Sequence, residues 1–186
     1  TDDLMNAGLS EEDRVLVWDD SILDPVIPVD TNKTGDYVRN REVFTSRGAV
    51  LALEGAVNIQ YRFGIPSEYA ENADEIGIMY WTEETHANAA KLTKENADYC
   101  DILTYDSGLG KYVNEYRNIA AKDLNKTVYA CAYLVDGEDT YYSGVVAYSV
   151  ETYIANTIQK DGTSAGLKNT LQWLGNYGES AKEYFY

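Results

Sequence analysis

The chain has 186 residues, enough for one large domain with a core of its own. It carries 31 acidic against 15 basic side chains, a formal net charge of −16, and a surface of that sign is repelled by phosphate backbones and anionic lipid. Nucleic acid is therefore a poor partner. No apolar run reaches membrane-spanning length and neither a start methionine nor a signal pattern opens the chain at Thr1, so it reads as a soluble excised piece without membrane insertion.

Residues 1–36 hold ten acidic residues with only Arg14 and Lys33 as basic ones, so they supply half of the net charge. Pro25 and Pro28 favour extended backbone there and disfavour helix. Residues 1–46 thus form an acidic leader or linker, either draped on the domain or a partly disordered tail. Within it Arg14-Val15-Leu16-Val17-Trp18 has the composition of a short edge strand. Asp30, Asn32, Thr34 and Asp36 place oxygen side chains at alternate loop positions around Gly35, which is half of an EF-hand loop. Arg41 stands where that loop needs a bidentate Glu, and Lys33 lies inside it. Calcium is the one cofactor the sequence raises, and a polar turn built on Asx hydrogen bonds is the simpler reading.

The body, residues 47–150, is written mostly in period two. Ala49, Leu51 and Leu53 alternate before Glu54-Gly55-Ala56, and Val57, Ile59, Tyr61 and Phe63 alternate after it, which predicts a hairpin. Further strands are expected over Glu75 to Trp81, Lys111 to Ile119, Thr127 to Val135 and Thr140 to Val146. Asp136-Gly137-Glu138-Asp139 supplies a turn that permits positive φ. Two helices follow. Ser149 is the expected N-cap of the first, with Val150, Tyr153, Ile154, Thr157 and Ile158 on one face and Asp161-Gly162 at its end. In the second, Leu167, Leu171, Leu174, Gly178, Ala181 and Phe185 form an apolar stripe. Gly175 and Gly178 weaken that helix and should have packing reasons. Trp173, Tyr177 and Tyr184 are expected to pack. The fold class is mainly β with C-terminal helices: an antiparallel β-sandwich, Ig-like or jelly-roll-like, capped over residues 151–186 by a two-helix hairpin.

Nothing in the chain composes a catalytic site. His86 is the only histidine, set in Glu83-Glu84-Thr85-His86-Ala87-Asn88 without a nucleophile elbow, a Cys partner or metal-ligand spacing. Carboxylates are too abundant for any chosen pair to be informative as a glycosidase acid and base. The chain is expected not to be an enzyme. Cys100 and Cys131 are either one disulfide or two free thiols. The 17 tyrosines and three tryptophans are the remaining candidates for binding, because sugar rings stack their apolar faces on aromatic side chains. Tyr112, Asn114 and Tyr116 alternate on one strand, and Trp81 lies opposite in phase to Ile76, Ile78 and Tyr80 on another. These four are the expected ligand-binding residues, on sheet faces expected to be wet. The competing reading places Trp81 in the core and the tyrosines against neighbouring strands.

The stretch Gly48-Ala49-Val50-Leu51-Ala52-Leu53-Glu54-Gly55-Ala56-Val57-Asn58-Ile59-Gln60-Tyr61 resembles the "SLSLEG-x-I-x-L-N-F-Y" opening of a module recurrent in secreted proteins of gut and rumen Firmicutes. Ile119-Ala120-Ala121-Lys122-Asp123-Leu124 is similar to its "VAAKEM" turn, and Tyr148-Ser149-Val150 with Tyr153 to its "YSVRDY". Leu174 to Phe185 resembles its "MLNYGAAAQxYF" close. The likeness spans about residues 47–186 and omits the acidic leader and the stretch from Tyr80 to Tyr99. It implies an extracellular or cell-surface setting beside Ig-like repeats, glycoside hydrolases or dockerin-type segments in a larger chain. The expected function is a non-catalytic module that binds polysaccharide or another surface component. The alternative is a structural spacer or protein-interaction domain, and a glycoside hydrolase ranks last.

Overall fold

The computed structural model describes residues 43–53, 55–82 and 93–186. The proposed edge strand at Val15 to Trp18, the loop of Asp30, Asn32, Thr34 and Asp36, and His86 lie outside the described residues. The chain folds into two antiparallel sheets followed by two helices. Its strands are β1 (Ser46–Ala52), β2 (Asn58–Gly64), β3 (Glu75–Trp81), β4 (Tyr99–Ile102), β5 (Thr104–Asp106), β6 (Lys111–Tyr116), β7 (Val128–Asp136), β8 (Asp139–Tyr142) and β9 (Val146–Tyr148). A one-turn helix α1 (Ser67–Ala70) and a 3-10 turn (Ala121–Asp123) interrupt them, and α2 (Val150–Gln159) and α3 (Ala165–Phe185) close the chain.

The first sheet runs β1-β2-β6-β5 and the second β4-β3-β7-β8, with β9 also on β7. The alternation read in the sequence sets the inward faces. Ala49, Leu51, Ile59, Tyr61 and Phe63 from the first sheet meet Ile78, Tyr80, Ala130, Ala132 and Leu134 from the second in one core. The Tyr61 hydroxyl crosses between the sheets and donates to the Val128 carbonyl at 3.0 Å. Burial first, then neighbouring tyrosines, hold that hydroxyl well above its ordinary pKa, so it remains a donor.

Three departures from period two are informative. The run Tyr99 to Asp106 holds two strands, and between them Leu103, buried and donating its amide to the Ile76 carbonyl at 3.0 Å, carries the chain from one sheet to the other. The expected strand from Thr140 to Val146 is broken at Ser143. There the Ser143 hydroxyl accepts from the Ala132 amide at 2.9 Å while the Ser143 amide donates to the Ala132 carbonyl at 2.8 Å, restoring the interrupted ladder. The strand expected to reach Ile119 stops at Tyr116, and Asn118 turns the chain with φ of 60°, its amide donating to Asn58 Oδ1 at 2.9 Å.

The outward face of the second sheet is also apolar. Met79, Trp81, Cys131, Tyr133, Tyr142 and Val145 form a second buried cluster there, with Ala97 and Cys100 packed against it. This explains why β3 and β7 read as nearly unbroken apolar runs, as strands covered on both faces do. Cys100 and Cys131 are not joined in a disulfide. Each lies opposite Met79, one on either side of β3, so they stand about 9–10 Å apart across two strand spacings, outside disulfide reach.

The helices obey their capping signals. Ser149 Oγ accepts from the Thr152 amide at 3.0 Å, and Ser164 Oγ accepts from Leu167 at 3.2 Å. Val150 and Tyr153 of α2 and Leu167 and Leu171 of α3 join the main core. No helix among the described residues is long and apolar enough to cross a membrane.

Candidate functional site

The residues expected to bind are not brought together. Trp81 is fully buried in the second cluster, so no ligand can stack on it. The face expected to be wet is covered, and this corrects the assignment of Trp81 to a binding surface. Tyr112, Asn114 and Tyr116 share the inward face of β6, opposite Phe63, Tyr61 and Ile59. They are half-buried because β6 lies near the margin of the sandwich.

Asn114 is a tie between the sheets. It accepts from the Tyr80 hydroxyl at 2.7 Å through Oδ1 and donates to the Ile102 carbonyl at 2.9 Å through Nδ2. Tyr80 cannot ionise in any ordinary range, since burial, then the charges of Asp101 and Tyr99, raise its pKa. Tyr116 packs at 5.4 Å from the Tyr80 ring, and Tyr99 stacks on the same ring at 6.1 Å with 16° between planes. Tyr112 joins a separate pair with Tyr105 at 5.2 Å. The strip therefore divides into two aromatic groups with the half-buried Asn114 tie between them. Burial would raise the pKa of Asp101, but hydrogen bonds from Asn114, the Ile102 amide and Tyr99, with Arg117 nearby, outweigh it and hold the carboxylate below its usual range.

The exposed aromatics lie elsewhere. Trp173, Tyr177 and Tyr184 of α3 are 76%, 64% and 82% exposed, against the expectation that they pack. Their phase accounts for this. At 3.6 residues per turn, positions 173, 177 and 184 fall within about 40° of one another and roughly a quarter-turn from the stripe of Leu167, Leu171, Gly178 and Ala181 that meets the body. The rings form a row, Trp173 to Tyr177 about 6 Å and Tyr177 to Tyr184 about 10 Å along the axis. Asn169, Gln172, Asn176 and Ser180, all exposed, line one side of it. From Asn169 to Gly178 the helix has no ionisable carboxylate or cation, in a chain of which a quarter is charged. The row was legible in the spacing: Trp173 is two positions after Leu171, which places it on another face.

Beside this row, on the other flank of α3, an apolar groove of about 260 Å³ runs between α3, α2 and the 3-10 turn. Gly178 packs against that turn so closely that a Cβ would stand 2.8 Å from Leu124 Cδ1 and 3.3 Å from the Ala121 carbonyl oxygen. Gly178 therefore has the expected packing reason. Gly175 has none: its Cβ would meet only Ile154, at 3.9 Å, although Gly weakens a helix interior by about 1 kcal/mol relative to Ala.

No known protein family, curated protein or solved structure matches this chain. Among the described residues no group of three His, Cys, Asp or Glu side chains is placed to hold a metal ion.

Proposed function

We propose that this protein is a non-catalytic binding module of an extracellular bacterial protein, and that the aromatic face of α3 takes a neutral polysaccharide. The observation that carries the reading is the row Trp173, Tyr177 and Tyr184, exposed and bordered by Asn169, Gln172, Asn176 and Ser180. Sugar rings need an apolar platform for their C–H faces and neutral donors and acceptors for their hydroxyls, and this face supplies both. A net charge of −16 opposes anionic chains, which narrows the ligand to neutral or cationic ones. The resemblance of both ends of the sequence to modules of surface and carbohydrate-active proteins supports the setting: attachment at the cell surface, among neighbouring domains. Within that reading the two sheets are an Ig-like or jelly-roll-like sandwich and the helices a hairpin that caps it.

The second reading is a protein-interaction domain or spacer. Phe185 packs edge-on against Tyr184 at 4.9 Å and, with Tyr186, extends the apolar surface beyond the helix, as a docking site for another protein would. A glycan array and affinity gels of plant, mucin and cell-wall polysaccharides separate the two. Retention on a neutral polysaccharide, lost in Trp173→Ala and Tyr177→Ala and kept in Tyr116→Ala, is the expected result. Silence across the panel removes the carbohydrate reading and leaves the second.

A further inference from the structure

The exposed face of α3 carries a repeat as well as a composition. Trp173, Tyr177, Ser180 and Tyr184 follow one another at spacings of four, three and four residues, which puts one of them on each successive turn and all four within about 60° around the axis. All four are exposed. Side chains of one helix lean the same way along it, so the rings keep the spacing of their Cα atoms, about 16 Å from Trp173 to Tyr184. The row is an open platform and not a pocket, since each of its rings is exposed over most of its surface.

A sugar stacked on one such ring is covered on one face only, and a lone stack leaves most of it in water. Retention therefore needs several rings engaged by one ligand, each further contact being intramolecular once the first is made. Covalent geometry makes one pyranose of an extended chain about 5 Å long, close to the helix pitch of about 5.4 Å, so a straight chain laid along α3 meets one of these positions with each sugar. That match sets a register. Two or three sugars reach at most two rings in any placement, because Ser180 interrupts the row, and four sugars reach all three. Equatorially linked β-1,4 chains run straight over that length and carry C–H groups on both ring faces, whereas α-1,4 chains coil away from the axis.

Resting on the carbohydrate reading of this face, we infer that the ligand is an internal stretch of a straight, neutral β-1,4-linked glycan lying along α3, one sugar per turn. Trp173, Tyr177 and Tyr184 stack on the first, second and fourth of four sugars, and the Ser180 hydroxyl bonds to the third. Chain ends are not read, because an open platform has no wall for an end to meet. The net charge of −16 opposes uronate-bearing members of the class.

Calorimetric titration with cello-, xylo- and chito-oligosaccharides of two to six sugars tests the register, with malto-oligosaccharides of the same lengths as the coiled comparison. The expected result, in at least one β-linked series, is a rise in affinity of roughly tenfold between three and four sugars, where the third ring is reached, and a plateau beyond. Tyr184→Ala is expected to abolish that step and to leave the affinity for two sugars unchanged. Ser180→Tyr, which completes the row, is expected to bring the rise forward to three sugars. Both substitutions are at exposed positions, so Tm is expected to stay that of the unmodified protein. Affinity independent of length, a step that stays at four sugars in Ser180→Tyr, or malto-oligosaccharides bound as tightly as the β-linked ones overturns the inference and leaves the carbohydrate reading standing. Retention on a polysaccharide gel without binding of any oligosaccharide up to six sugars does the same. Binding of no glycan in either assay overturns both.

Discussion

Trp81 on β3 and Trp173 on α3 have exchanged the environments that their local patterns suggest. Trp81 follows the alternate phase of its strand and has the spacing of an outward residue, yet a second layer buries it completely. Trp173 sits in a helix with a regular apolar stripe, yet its phase leaves it 76% exposed. The comparison teaches that periodicity assigns a side chain to a face, while the covering of that face is decided by tertiary structure. A strand that is apolar at successive positions signals two covered faces, and an aromatic two residues from a helical stripe signals an uncovered one.

The difference can be tested by substitution. Trp81→Ala removes the largest fully buried side chain and is expected to destabilise the protein by about 3–5 kcal/mol in urea unfolding. A loss below about 1 kcal/mol would mean that the second layer is not packed as a core. Gly178→Ala pushes a methyl group into Leu124 and is expected to lose about 1–3 kcal/mol. Gly175→Ala, one turn away, is expected to gain about 0.5–1 kcal/mol, since its new methyl group meets only ordinary contacts. The opposite signs separate the helix flank that packs from the flank that lines the groove. Trp173→Ala and Tyr177→Ala are expected to shift stability by no more than about 0.5 kcal/mol, the range of exposed positions.

A pH series sharpens the same contrast at the border of the second layer. The Tyr133 hydroxyl donates to Glu75, and Lys94 pairs with the same carboxylate at 2.9 Å. These bonds, Tyr133 first, lower the pKa of Glu75 in the folded protein. Its contribution is therefore fully present above the unfolded glutamate value of about 4.3 and is lost as pH falls through the lower folded value. Glu75→Gln is expected to lower Tm at pH 6 and to converge on the unmodified protein at the acid end of a series. A constant difference across that range would separate Glu75 from the titration.

Much of the fold could be read from short-range chemistry. Ser149 as a cap, Asp136-Gly137-Glu138-Asp139 as a turn with Gly137 at φ of 60°, and the alternation from Val57 to Phe63 all depend on near neighbours. The passage through Leu103 did not show, because strands of four and three residues on either side carry too little alternation to register. The second buried layer is visible in the apolar runs of β3 and β7, whereas alternation alone leaves Trp81 open to either a wet face or the core. The binding strip at Tyr112, Asn114 and Tyr116 was placed on one face correctly, and that face turned inward because Tyr61 and Phe63 lie opposite it.

The margin at Leu103 also limits how other chains can associate with this one. One sheet ends there in β5 and the other in β4, three and four residues long. Backbone ladders that short offer an incoming strand few hydrogen bonds, so this rim is a poor template for fibril growth or strand donation. Recognition on that side of the molecule is left to side chains.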